Sequence, residues 1–332
     1  MRRSLAAALL ALSAALAAFA GPCDPWVAPP ASHTPPLWPE WVLRPWVWLD
    51  EPAQQTALDL VEGYQSRDIP TGATILDAPW YTGAMTFEWD PALFPDPGAL
   101  IDELHARDVR VFLWAVSMIN LDSPNYAFAL ANDFFVKDLF GQVAVVEWWR
   151  GPGSFLDYTN PEAVTYWHSL LDGPLSLGID GWKVDGTDPY LLFVELLGGG
   201  AYGAGGRITT AAYSDLFYRD FFEYTRLTRG AETAISARPY DSLLGLIGLN
   251  FAPRDVNHAG WVGDQDNNFA GLRNAMTNML RSADTNSVNF GSDIGGYREP
   301  DPPNKEVFLR WAQYGALSPI MENGGGGEHR PW

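Results

Sequence analysis

Five residues with useful chemistry stand at the ends of short apolar stretches: Asp77, Asp185, Arg238, Asp264 and Asp293. An apolar strand that ends in an aspartate is costly unless the carboxylate pairs or works. One or two such ends could simply cap the helices that follow, but five favour a shared site. Two carboxylates across a cleft can open an acetal. One attacks the anomeric carbon while the other protonates the leaving oxygen and then activates water, with the two groups about 5–5.5 Å apart. The acid must hold its proton near working pH, which burial or a nearby like charge can arrange.

The elements that must position these groups are eight apolar or β-branched runs: Trp41–Leu49, Ala73–Asp77, Val109–Val116, Gly181–Asp185, Thr233–Arg238, Ala259–Asp264, Ser287–Asp293 and Ser318–Glu322. Helical spacing of apolar residues separates several of them, over Gln54–Arg67, Pro97–Asp108, Pro161–Leu171, Phe269–Ala283 and Lys305–Gly315. Asn160-Pro161 supplies an N-cap followed by a proline at the first helical position. Apolar strands alternating with amphipathic helices predict a parallel sheet covered by helices. Eight of them predict an α/β (β/α)₈ barrel, whose strand C-termini share one mouth. A doubly wound sheet needs a glycine loop after its first strand, and Trp48-Leu49-Asp50-Glu51-Pro52 has no glycine. The longest connections, near residues 117–160 and 186–212, are expected to shape a cleft.

The chain has 332 residues, 47% of them apolar and 14% aromatic, with 15 tryptophans and a net charge of −19. That acidity argues against nucleic acid and anionic membrane surfaces as partners. The tryptophans fit either a core or a surface that stacks on sugar rings. Arg2 and Arg3, the apolar stretch Leu5–Phe19 and the Ala18-Phe19-Ala20 site predict a signal peptide over 1–20, cleaved after Ala20, and hence a secreted or periplasmic protein. An uncleaved anchor is the alternative. Residues 21–40 carry seven prolines and read as a semi-rigid linker. Cys23 is the only cysteine, so no intrachain disulfide forms, and Pro22 before it departs from a lipidation site.

The motifs resemble a known family. Gly178-Ile179-Asp180-Gly181-Trp182-Lys183-Val184-Asp185 resembles the nucleophile strand of glycoside hydrolase family 31. His258-Ala259-Gly260-Trp261-Val262-Gly263-Asp264 is similar to its acid/base segment, and Ser292-Asp293-Ile294-Gly295-Gly296-Tyr297 to its Asp-Ile-Gly-Gly-aromatic turn. Phe155–Pro161, Arg310-Trp311, Gly315-Ala316 and Pro319 match in order, so the resemblance spans about residues 41–332. It implies a retaining α-glycosidase that acts on an α-linked oligosaccharide or glycoside without cofactor or metal. Asp185 would be the nucleophile and Asp264 the general acid/base. Asp77, Arg238, Asp293 and His329 would hold sugar hydroxyls, with Trp114, Trp182 and Trp261 as pocket walls. Trp148 and Trp149 would border the cleft.

The sequence departs from the family in several places. Gly186-Thr187-Asp188 follows the nucleophile where α-glucosidases commonly end in Glu, leaving Asp188 as either a substrate contact or a helix cap. Gly324–Gly327 replaces the usual Arg-x-His spacing before His329. Only the linker precedes the first run, and the chain stops ten residues after Glu322. The barrel is therefore expected without its final helix and without the flanking β-sandwich domains. Asp264-Gln265-Asp266-Asn267-Asn268 lacks the glycine and glutamate of a calcium loop, and His105 and His168 read as ordinary helix residues. Besides a hydrolase, two readings stay open: a sugar-binding barrel without turnover, and a transglycosylase using the same covalent intermediate.

Overall fold

The computed structural model describes residues 38–332, apart from 239, 244–246, 251–252, 254, 258, 285–288 and 299–302. The expected leader over 1–20 and most of the 21–40 linker lie outside the described residues. So do His258, the first residues of the seventh run, and the side chain of Asp188.

Eight strands form one sheet, all neighbours parallel: β1 Trp46–Leu49, β2 Ala73–Leu76, β3 Arg110–Ala115, β4 Gly181–Val184, β5 Ala234–Ala237, β6 Ala259–Trp261, β7 Phe290–Gly291 and β8 Glu322–Asn323. They follow one another around the ring, with β8 pairing back onto β1 through Trp46↔Glu322 and Val47↔Asn323. Among the described residues no ladder joins β7 to β8. The bridge Asp293↔Glu322, the Ile294 N–H donated to Glu322 O at 3.0 Å and the Ile320 N–H donated to Phe290 O at 3.5 Å span that seam. The result is a (β/α)₈-like barrel with one unsealed seam. Each expected strand is present but shorter. Trp41–Val42 sits in the 3₁₀ turn Glu40–Leu43, and Ser318–Ile320 forms a turn before β8.

Helices α1 Gln54–Gln65, α2 Pro97–Ala106, α3 Pro161–Leu177, α4 Thr210–Arg229, α5 Phe269–Asp284 and α6 Lys305–Gly315 connect the strands. Asn160 caps α3 as expected, accepting from the Glu162 and Ala163 amides. The helix runs past Leu171 and through Pro174, and ends at Gly178, which takes a left-handed conformation. The longest described helix, α4, has no counterpart among those expected from the sequence. Its buried face is largely aromatic (Tyr213, Phe217, Phe221), a pattern less legible than a leucine stripe. Among the described residues no helix joins β5 to β6; a hairpin, Tyr240–Leu243 with Ile247–Asn250, takes that place. No described helix is long and apolar enough to cross a membrane.

Two layers of packing fix the site. Outside the ring, Val47, Leu76, Leu113, Trp182, Val184 and Ile235 pack against the helices. Inside, Trp46, Trp48, Ile75, Phe112, Ala234 and Ala259 form a separate cluster, plugged by Trp41 and Val42. Successive strand residues alternate between these layers. Small residues make room for large ones inside. A Cβ on Gly181 would sit 2.6 Å from the Phe112 ring and 1.9 Å from Ala234 O, so no larger residue fits there. The expected excursions are both present. Residues 117–160 hold a three-stranded antiparallel sheet (Met118–Asn120, Val145–Trp148, Gly151–Phe155) and the helix Pro124–Ala131. Residues 186–212 hold the helix Leu191–Leu197 and the hairpin Ala201–Gly203/Gly206–Ile208.

Candidate active site

The inner-face parity that begins at the barrel floor runs on to the mouth. Ile75 is followed two residues later by Asp77, Phe112 by Trp114, Gly181 by Lys183 and then Asp185, Ala234 by Ser236 and then Arg238, and Ala259 by Trp261. The polar groups therefore emerge where the strands end, over an apolar floor.

Arg238 organises the centre. Its Nε lies 2.9 Å from Asp185 Oδ1, and its Nη2 donates to Asp264 Oδ1 at 2.5 Å. Nε and Nη2 of one planar guanidinium are about 2.3 Å apart, so the two carboxylate oxygens lie within about 8 Å of each other. Asp185 and Asp264 thus face one another through a single side chain. Asp185 is buried and doubly fixed: the Trp114 indole N–H donates to Oδ2 at 3.0 Å, and the Gly186 amide donates to Oδ1 at 2.7 Å. Asp264 is the more open of the pair, with its side chain 23% exposed. Arg298 donates to its backbone carbonyl at 2.8 Å.

Beside this centre sits a buried cation that sequence reasoning did not select. Lys183 Nζ donates to Asp77 Oδ2 at 2.7 Å, lies 3.6 Å over the Trp48 ring and 4.8 Å from the Trp261 ring centre. Burial disfavours its charge, but the fields of Asp77, Asp293, Glu322 and Asp185 outweigh that and hold its pKa above the ordinary lysine value. The Ala78 amide fixes the other Asp77 oxygen at 2.8 Å. Across the β7–β8 seam, Asp293 and Glu322 are 0% and 1% exposed, and none of their four carboxyl oxygens has a hydrogen bond of sound geometry. Burial pushes Glu322 up to about 7, with Lys183 opposing and Asp77 adding to the rise; the Trp48 indole favours the charged form. Burial first, and Glu322 second, push Asp293 well above the carboxylate range. Asp50, just after β1, is raised to about 6 by burial and by Asp77.

Tryptophans line this end unevenly. Trp114 stacks on Trp148 with the rings 5° from parallel, and the Arg150 guanidinium lies 5.5 Å from the Trp114 ring centre. Trp148 is buried, and Trp149 packs edge-on against it while remaining 47% exposed. Trp261 faces both Lys183 and Arg238. Trp182, expected from the resemblance as a pocket wall, does not belong to the pocket. It points outward, donating its indole N–H to Thr225 of α4 at 3.0 Å and packing against Phe87 and Phe221. With Lys183 and Asp185 on the inner face, their neighbour between Gly181 and Lys183 must face the helices.

His329 is buried against the turn after β7, with Nδ1 3.0 Å from Ile294 O, and burial lowers its pKa. Trp48, Asp50, Lys183 and Glu322 escaped the sequence reading. Lys183 stands two residues before Asp185, and Asp50 and Glu322 stand at the ends of strand runs as Asp77 and Asp293 do, so the sequence carries a signal for each. His105 and His168 are held away from the mouth by Asp180 and Asp220, each at 2.7 Å. Among the described residues no group of three or more His, Cys, Asp or Glu is arranged to hold a metal ion.

Residues 35–332 match the glycosyl hydrolases family 31 TIM-barrel domain, and the chain belongs to that family. It is 26% identical over 312 residues to alpha-xylosidase XylQ of Lactiplantibacillus pentosus, which covers 91% of this chain and 39% of the relative. It is 24% identical to the 1,3-alpha-isomaltosidase of Kribbella flavida, covering 86% of this chain and 41% of that protein. The chain therefore spans about two fifths of the length of these relatives. Its fold matches that of a family 31 alpha-xylosidase from a soil metagenome, complexed with xylose, with a TM-score of 0.73 and 22% identity over 88% of this chain and 43% of the other.

Proposed function

We propose that the protein is a secreted, retaining exo-α-glycosidase that hydrolyses α-linked sugars by double displacement, with Asp185 as nucleophile and Asp264 as general acid/base. The observation that carries this reading is Arg238, which binds both carboxylates at once. The bound it sets includes the separation that retaining chemistry uses. Asp185 attacks the anomeric carbon, oriented by the Trp114 indole and the Gly186 amide. Asp264, on the more open side, gives its proton to the leaving oxygen, and then takes one from the water that releases the sugar. Asp77, Arg238, Asp293 and His329 bind hydroxyls of the glycosyl unit, and Trp114 and Trp261 bound its apolar faces. The α-xylosidase and isomaltosidase relatives support a neutral α-linked glycoside as substrate. The leader residues support export.

The test is a panel of nitrophenyl α-glycosides (gluco, galacto, xylo and N-acetylgalactosamino) with the Asp185→Ala and Asp264→Ala variants. Turnover of at least one member is expected, abolished by either substitution while sugar binding survives. A well-folded protein that turns over no member would refute the reading.

A further inference from the structure

Glu322 is a buried group for which the mechanism above has no use. It opens β8, its backbone bridges to Asp293 across the one seam without a ladder, and its side chain lies inside the barrel among charged groups from the neighbouring strands. Those groups are Asp77 at the end of β2, Lys183 on β4 and Asp293 after β7. Arg238, Asp264 and Asp185 lie next around the ring. Two carboxyl groups buried this deeply, with only the Trp48 indole beside Glu322 and no hydrogen bond of sound geometry to any of the four oxygens, are destabilising unless something satisfies them. The two cations within reach are already committed: Lys183 to Asp77, and Arg238 to Asp185 and Asp264.

We propose that Glu322 is a specificity-determining residue: with Asp293 it forms a carboxyl pair that binds hydroxyls of a neutral glycosyl unit and rejects anionic sugars. The proposal rests on the functional reading above and deepens it. Burial and mutual repulsion favour one proton shared across the pair at neutral pH, as for two carboxylates in one site. A pair in that state both accepts from a hydroxyl and donates to one, which two full carboxylates could not do. A carboxylate or sulfonate on the sugar would add a further negative charge where both cations are already paired, at the cost of burying an uncompensated ion.

The experiment measures kcat/KM of wild type, Glu322→Gln and Glu322→Ala on the substrate found above, and on its monodeoxy analogues. Losing a hydrogen bond to a charged or shared-proton carboxyl corresponds to about tenfold to hundredfold in kcat/KM. Glu322→Ala should show that loss on the parent glycoside and almost none on one deoxy analogue, the one lacking the hydroxyl that Glu322 reads. Glu322→Gln should lose less and show a flatter pH profile between pH 5 and 8, and it should accept an α-glucuronide better than wild type does. A Glu322→Ala penalty that is equal on the parent and every deoxy analogue would mark a structural role and overturn the proposal, as would wild-type kinetics.

If the wild type binds sugar without turning it over, the same comparison is made by calorimetry with the free monosaccharide and its deoxy forms. The catalytic reading then fails while Glu322 is still tested. A folded wild type that binds no sugar overturns both.

Discussion

Replacing Lys183 by methionine tests the idea that this end of the barrel is held together by one buried cation. The side chain is 5% exposed, pairs with Asp77 at 2.7 Å and lies 3.6 Å over the Trp48 ring. Breaking a buried pair by removing one partner costs about 3–5 kcal/mol, because the other charge is left uncompensated. A desolvated cation–π contact adds up to about 2 kcal/mol. The two terms share one ammonium and do not add fully, so Lys183→Met should lose about 3–5 kcal/mol at pH 7.5. The loss should shrink toward pH 5, below the raised Glu322 pKa of about 7, where that neighbouring carboxyl is protonated and less negative charge is left uncompensated.

The double variant Lys183→Met/Asp77→Asn should recover most of the loss at pH 7.5, since replacing both partners of a buried pair is often neutral. Equilibrium urea unfolding of the three proteins at pH 5.0 and 7.5, followed by tryptophan fluorescence, reads these differences. A single-variant loss below about 1 kcal/mol that does not change with pH would refute the reasoning. So would a double variant no more stable than the single.

The remaining expectations are more direct. Trp114→Phe removes the indole N–H that holds Asp185 Oδ2, so kcat should fall about tenfold to hundredfold with the fold intact by circular dichroism. Trp182→Ala should cost about 3–5 kcal/mol in urea unfolding by emptying a site between β4 and α4, while leaving KM of the folded enzyme unchanged. Gly324→Ala would place a Cβ 2.3 Å from the Trp48 ring, so it should displace that indole and cost about 1–3 kcal/mol, together with sugar affinity measured by calorimetry. For pH, Glu322 is raised to about 7 and Asp50 to about 6 in the folded chain. Their stabilisation is therefore fully present below the ordinary carboxylate pKa of about 4 and is lost as pH rises through 6 to 7. Urea midpoints should fall over that window, and Glu322→Gln should remove much of the slope.

The sequence by itself determined the elements and the order of the chemistry. Eight apolar runs became eight parallel strands, and Asp77, Asp185, Arg238, Asp264 and Asp293 all stand at or just beyond strand ends, because hydrophobic runs broken by polar residues mark where a buried strand stops. Strand parity is legible in the sequence as well. Taking Asp185 as inward dictates Lys183 inward and Trp182 outward, against the place that the family resemblance implies for Trp182. Helix α4 was missed because its apolar face is built from Tyr213, Phe217 and Phe221, without a leucine repeat. Only the tertiary structure decided which charges meet. Arg238 joins carboxylates from β4 and β6, Lys183 binds Asp77 across 106 positions of chain, and Glu322 meets Asp293 at the seam. Distances of that kind are set by ring closure, which brings strand ends together from far apart in the sequence and has no local signature to read.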